Sequence, residues 1–163
     1  AFEAAAHFME ALPARIFLEI FVIALPLLFH AIYGVYIAFT AKSNVGNYGF
    51  FRNWMFVLQR ATGIITFIFV VWHVWETRMQ VALGKDTVDY NMMVDILSNP
   101  AMLAFYIIGV VAAVFHFANG LWTFCITWGI TVSPRAQQIN TYVTMAIFLI
   151  LSYVGVTALL AFV

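Results

Sequence analysis

Two short patterns in this sequence could hold a flat cofactor. Phe-His-x-x-x-Gly occurs at Phe29-His30-Ala31-Ile32-Tyr33-Gly34 and again at Phe115-His116-Phe117-Ala118-Asn119-Gly120. Each copy lies in the middle of a long apolar run. In an α-helix, residues i and i+4 stack on one face. Each imidazole therefore has a glycine beside it, a ring next to a gap. Imidazole is a common axial ligand of haem iron. A polar ring inside an apolar run is expensive to bury and is retained for a function. His30 and His116 are read as gripping one haem from two sides. On the face of His116 lie Gly109, Ala112, Ala113 and Gly120, a stripe of small residues expected to make room for the macrocycle. The plainer reading is that small residues let membrane helices pack closely, and for Gly109 alone that reading is preferred.

His73 admits two readings: a ligand of a second haem, or an interfacial histidine hydrogen-bonded within the Trp72/Trp75 pair. Arg60 is expected either to meet haem propionates, with Gln59 and Arg52, or to extend its charged head to the lipid surface. Glu19 and Glu76 sit at one interface. They could exchange protons with a quinone, though ordinary solvation is preferred. His7 reads as a surface residue and Cys125 as a small apolar one.

Such residues need helices to hold them. Four apolar runs qualify, at about 16–41, 54–75, 101–128 and 139–163, each long enough for the roughly 20 residues a span requires. The expected fold is an all-α membrane helix bundle, one haem-binding domain over 1–163. Pro26 is expected to kink the first run near His30, Pro13 to break the chain ahead of it, and Asn99-Pro100 to open the third. Residues 76–100 read as the longest polar stretch. Counting from the end near 42–53 at about 1.5 Å per residue, His30 lies roughly 17 Å deep and His116 roughly 18 Å, whereas His73 lies roughly 28 Å deep. The first two are level. Basic residues mark the cytoplasmic side. Lys42, Arg52 and Arg135 therefore put loops 42–53 and 129–138 in the cytoplasm and the acidic stretch 76–100 outside.

Composition agrees with a membrane protein. The 163 residues are 65% hydrophobic and 9% charged, with zero formal net charge and mean hydropathy +0.99. Soluble domains carry about 25% charged residues. Nothing suggests nucleic acid as a partner; membrane lipid is the expected surrounding. One cysteine excludes an internal disulfide and a cysteine-based metal site.

The residues also resemble a known family. The stretches are Ala-Ala-His-Phe-Met (5–9), Phe-His-Ala-Ile-Tyr-Gly-Val-Tyr-Ile-Ala-Phe-Thr-Ala-Lys (29–42), Phe-Arg-Asn-Trp-Met-Phe-Val-Leu-Gln-Arg-Ala-Thr-Gly-Ile-Ile-Thr (51–66), Trp-His-Val-Trp-Glu-Thr-Arg (72–78), Phe-His-Phe-Ala-Asn-Gly-Leu-Trp (115–122) and Thr-Trp-Gly-Ile-Thr-Val (127–132). Together they resemble the dihaem cytochrome b membrane anchors of succinate:menaquinone oxidoreductase, or succinate dehydrogenase, of the Gram-positive bacterial type. That resemblance implies five spans in a bacterial plasma membrane and two stacked haems b. It implies His30 and His116 as ligands of the cytoplasmic-side haem and His73 as a ligand of the outer one, whose second ligand belongs to a first helix not contained in this sequence. A longer native chain is accordingly expected. The resemblance also implies an FAD-carrying flavoprotein, an iron–sulfur subunit and menaquinone as partners, with no dicarboxylate site in this chain. The alternatives are a haem-poor structural anchor, a dihaem anchor of another respiratory quinone oxidoreductase, and a haem-free transporter. The last would need acids at the midplane, and the acids here lie at the run ends.

Overall fold

A computed structural model describes residues 2–163. Six helices follow one another among them: α1 Phe2–Glu10, α2 Arg15–Thr40, α3 Phe51–Ala82, α4 Tyr90–Leu97, α5 Pro100–Thr127 and α6 Pro134–Leu160. Four of these, α2, α3, α5 and α6, are long and apolar enough to cross a membrane. They run up and down, so 41–50 and 128–133 share one end, the basic one. The acidic end holds 83–99.

Local sequence sets the helix starts. Asn99 Oδ1 accepts from Ala101 N at 2.9 Å, and Ser133 Oγ accepts from Ala136 N at 3.1 Å. A proline follows each cap, where its missing N–H is not needed. Asp89 caps α4 in the same way. Before α2 the chain turns at Ala14, held in the left-handed region at φ 54°. Pro13 thus separates α1 from α2 as the sequence leads one to expect.

Pro26 does not break α2. The preceding stretch Leu18–Ala24 winds as a π-helix, and regular α-winding begins at Leu25–Pro26. Proline cannot donate to the carbonyl one turn back and clashes with it. The wider turn absorbs that conflict ahead of His30. A second π segment, Trp75–Met79, carries α3 past the expected end at Trp75 to Ala82. The polar stretch 76–100 is therefore largely helical. Two of its charged residues find tertiary partners: Glu76 accepts from Tyr106 Oη at 3.1 Å, and Arg78 Nη2 binds Glu19 Oε2 at 2.8 Å, with Arg15 also facing Glu19 at 3.6 Å. That ion pair joins the two π segments. α6 likewise starts at Pro134 rather than Ile139, because Ser133 caps it.

α5 is the central helix and packs along both α3 and α6. A Cβ on Gly109 of α5 would run into the Phe69 ring of α3, and one on Gly155 of α6 would meet Val110 Cγ1 at 2.6 Å. The glycines bring the helices together, as small residues do in bilayers. The tightest core, Phe69, Leu97, Tyr106 and Leu159, lies toward the acidic end. α2 rests mainly on α3 and buries no residue completely.

Candidate functional site

The two glycine-flanked histidines meet. The rings of His30 on α2 and His116 on α5 have centroids 6.1 Å apart and planes at 77°. A metal–imidazole bond is about 2 Å and the nitrogen lies about 1.2 Å from the ring centre. Two imidazoles on opposite sides of one metal therefore have centroids about 6.4 Å apart. The observed spacing fits that arrangement.

His116 is also oriented for it. Its Nδ1 lies 3.0 Å from the backbone oxygen of Gln59. A carbonyl only accepts, so Nδ1 carries the proton and Nε2 keeps its lone pair. Metal-binding histidines are regularly fixed in this way by a partner behind the ring. Gln59 reciprocates: its Nε2 donates to the His116 carbonyl at 3.1 Å, and its Oε1 accepts from Asn119 Nδ2 at 2.8 Å. The ring can reach Gln59 because Gly63 stands one turn on. A Cβ there would lie 2.9 Å from His116 Cε1.

A cavity of about 360 Å³ opens between α2 and α3, lined among others by His30, Gly34, Gln59, Arg60, Gly63 and His116. That is within the roughly 300–1,000 Å³ usual for small-molecule sites. A Cβ on Gly34 would touch nothing within 4 Å. Arg60 Nη1 donates to the Ala41 carbonyl at the end of α2, at 2.5 Å, and its guanidinium lies over Phe56. Four further N–H donors of that group are left for other partners. Among the described residues no cluster of three His, Cys, Asp or Glu side chains could hold a metal ion. A bare ion would find two imidazoles here; a haem brings its own ring of nitrogen donors. The donor set and the recess both fit a haem.

Other expectations are placed differently. The recess beside His116 is not built by the small-residue stripe of α5. Gly109 is covered by Phe69, and Gly120 faces Gln59 Nε2 at 3.6 Å. Ala112 faces a separate apolar groove with Leu58, Thr62, Phe115 and Phe148. Gly63 supplies the recess instead. Its depth, about ten residues into the second run, was the available signal. Arg52 turns away from the cavity: it bonds the Thr141 hydroxyl and lies 3.5 Å from the centre of the Trp122 ring. His7 is 80% exposed and faces Glu10 at 3.9 Å.

His73 is not bonded within the tryptophan pair. Its Nδ1 lies 3.3 Å from Tyr106 Oη, while the Tyr106 hydroxyl donates to Glu76 Oε2 at 3.1 Å. Trp72 Nε1 donates to the same carboxylate oxygen at 3.0 Å. His73 does not line the cavity shared by the other two histidines.

Residues 40–155 match the succinate dehydrogenase/fumarate reductase transmembrane subunit family. The chain belongs to that family. Over its 163 residues it is 64% identical to the "Succinate dehydrogenase cytochrome b558 subunit" of Bacillus subtilis (strain 168), covering all of this chain and 80% of that relative. No solved structure matches it. As a member of the family it is a transmembrane subunit, in agreement with its four long apolar helices. The family match includes His73 and His116; His30 precedes it but lies within the stretch aligned with the Bacillus relative.

Proposed function

We propose that this chain is the cytochrome b anchor of a bacterial plasma-membrane succinate dehydrogenase and that His30 and His116 hold a haem b between them. The facing pair, with Nδ1 of His116 committed to Gln59 and Nε2 left free, carries the reading. Gly34 and Gly63 leave room for the macrocycle, and Arg60 is the cation placed to meet its propionates. Gly120 serves indirectly, by giving the Gln59 side chain its place beside α5. A second haem b takes His73 as one ligand; the Nδ1 of that ring is likewise committed to a partner, Tyr106.

Haem b, when bound, supplies one-electron transfer, which lets a membrane subunit join an iron–sulfur partner to menaquinone. The protein fixes each imidazole, excludes water and sets the charge around it. The partners are the FAD-carrying flavoprotein and the iron–sulfur subunit. They dock at the basic end, where loops 42–53 and 129–138 face the cytoplasm; 76–100 lies outside. The relative named as a cytochrome b558 subunit of succinate dehydrogenase supports this assignment of partners and cofactor.

The test is haem content and a reduced-minus-oxidised spectrum of the purified complex, beside His30→Ala, His116→Ala and His73→Ala. Two haems are expected in the parent. The first two substitutions should each remove the same haem and the third should remove the other. A complex that assembles without haem would leave a purely structural anchor.

A further inference from the structure

The two proposed ligand histidines differ in what stands behind them. His116 donates to a neutral amide carbonyl. Behind His73 stands a carboxylate, one hydroxyl away. The direction of each bond follows from its chemistry. The Glu76 carboxylate accepts from the Tyr106 hydroxyl and from Trp72 Nε1. With its one hydrogen directed at Glu76, the Tyr106 oxygen can only accept from His73, so Nδ1 of His73 carries hydrogen and Nε2 is free.

The parts are held in place. Tyr106 is 1% exposed, and its ring stands edge-on to Phe69 at 5.3 Å. Phe69 also stacks on the His73 ring at 5.8 Å and 25°. The neighbouring cation Arg78 is engaged by Glu19. Among the described residues Glu76 has no ion-pair partner, and its bonded donors are neutral.

We propose that Tyr106 and Glu76 are positioning residues for His73, a relay that fixes its tautomer and passes the carboxylate's charge to the ring. The proposal rests on His73 being a haem ligand. A stronger acceptor behind an imidazole makes it a better electron donor to iron, which favours the oxidised metal. Breaking the relay therefore raises the midpoint potential of the haem at His73.

The experiment is a potentiometric titration of both haems in the intact complex, for the parent, Tyr106→Phe, Glu76→Gln and the double variant. Tyr106→Phe removes one hydroxyl and keeps the buried ring. Each single variant should shift the oxidised-to-reduced ratio of the haem at His73 about tenfold toward reduced at a given potential, about 59 mV for one electron. The haem at His30 and His116 should stay unchanged. Residues acting in series are not additive, so the double variant should match Tyr106→Phe. Unshifted potentials, equal shifts at both haems, or additive shifts of Glu76→Gln and Tyr106→Phe would each overturn the relay, the last by showing a through-space charge effect alone. If Tyr106→Phe does not assemble, low-temperature electron paramagnetic resonance of oxidised Glu76→Gln decides. Changed g-values at the haem of His73 support the relay, and unchanged ones reject it. Failure of the ligand reading itself is separate: His73→Ala would then retain every haem of the parent.

Discussion

His116 reaches the Gln59 carbonyl across a gap that a single methyl group would close. A Cβ at position 63 would lie 2.9 Å from His116 Cε1 and 3.2 Å from Nδ1. The ring would have to move, and with it the free Nε2. We expect Gly63→Ala to lose the haem proposed at His30 and His116 while the complex still assembles with the haem proposed at His73, as read by haem content and spectrum. Gly34 gives the complementary test. It lines the cavity but faces no protein atom. In Gly34→Leu the Cβ meets no protein atom within 4 Å, so we expect the added bulk to take up cavity space, and replacing a helical glycine favours the helix by up to about 1 kcal/mol. Loss of that haem with unchanged or raised thermal stability would show competition for the cavity; full haem retention would place the cofactor elsewhere. The level depth of His30 and His116 could be read from residue counting, because rise per residue is fixed. The depth of Gly63 could be read in the same way, but its facing of His116 could not, because which face of α3 meets α5 depends on tertiary packing. The same holds for Tyr106 behind His73, which lies on another helix and far off in sequence.

At the scale of helices, the seams of α5 show how glycine is used for approach. Gly109 lies directly against the Phe69 ring, which is itself packed on Tyr106 and Phe105. A methyl group there has no space, and the ring cannot swing away. Overpacking of this kind costs about 1–3 kcal/mol. Gly155 faces only Cγ1 of Val110, at the edge of α6. We expect Gly109→Ala to lower the thermal midpoint of the detergent-purified complex clearly more than Gly155→Ala, and to disturb the haem at His73, because Phe69 also stacks on that ring. Equal midpoints would mean that the α3–α5 seam is not held by Phe69. The helices themselves were legible: four long apolar runs place α2, α3, α5 and α6, and Asn99-Pro100 marks the start of α5, whereas the Ser133 cap that starts α6 at Pro134 falls in a stretch that reads as loop. The π segments were not. Hydropathy averages over turns and is blind to one extra residue in a turn. The extension of α3 beyond Trp75 was hidden for a related reason. Glu76 and Arg78 look like loop residues until their partners, Tyr106 and Glu19, are brought alongside by folding.

For the whole molecule, the decisive property is which end faces the cytoplasm. The alternating helices put Lys42, Arg52 and Arg135 at one end and Asp86, Asp89 and Asp95 at the other. Basic residues are retained on the cytoplasmic side during insertion. Arg52 is only half-exposed at that end, since it is held by Thr141 and Trp122. It still adds its charge to the same end. The chain carries one cysteine, Cys125, half-buried near the basic end of α5. In a Cys125→Ser background, a single cysteine introduced by Ser43→Cys or Thr87→Cys reports one end each. We expect a membrane-impermeant thiol reagent added to intact cells to label Thr87→Cys and to label Ser43→Cys only after the membrane is opened. The reverse pattern would invert the orientation, and with it the docking end. Docking gives the experiment a second readout. If the flavoprotein and iron–sulfur partners cover the basic end, Ser43→Cys should remain slower to label in opened membranes that hold the whole complex than in membranes that hold this subunit alone. Equal rates would mean that the partners do not shield loop 42–53.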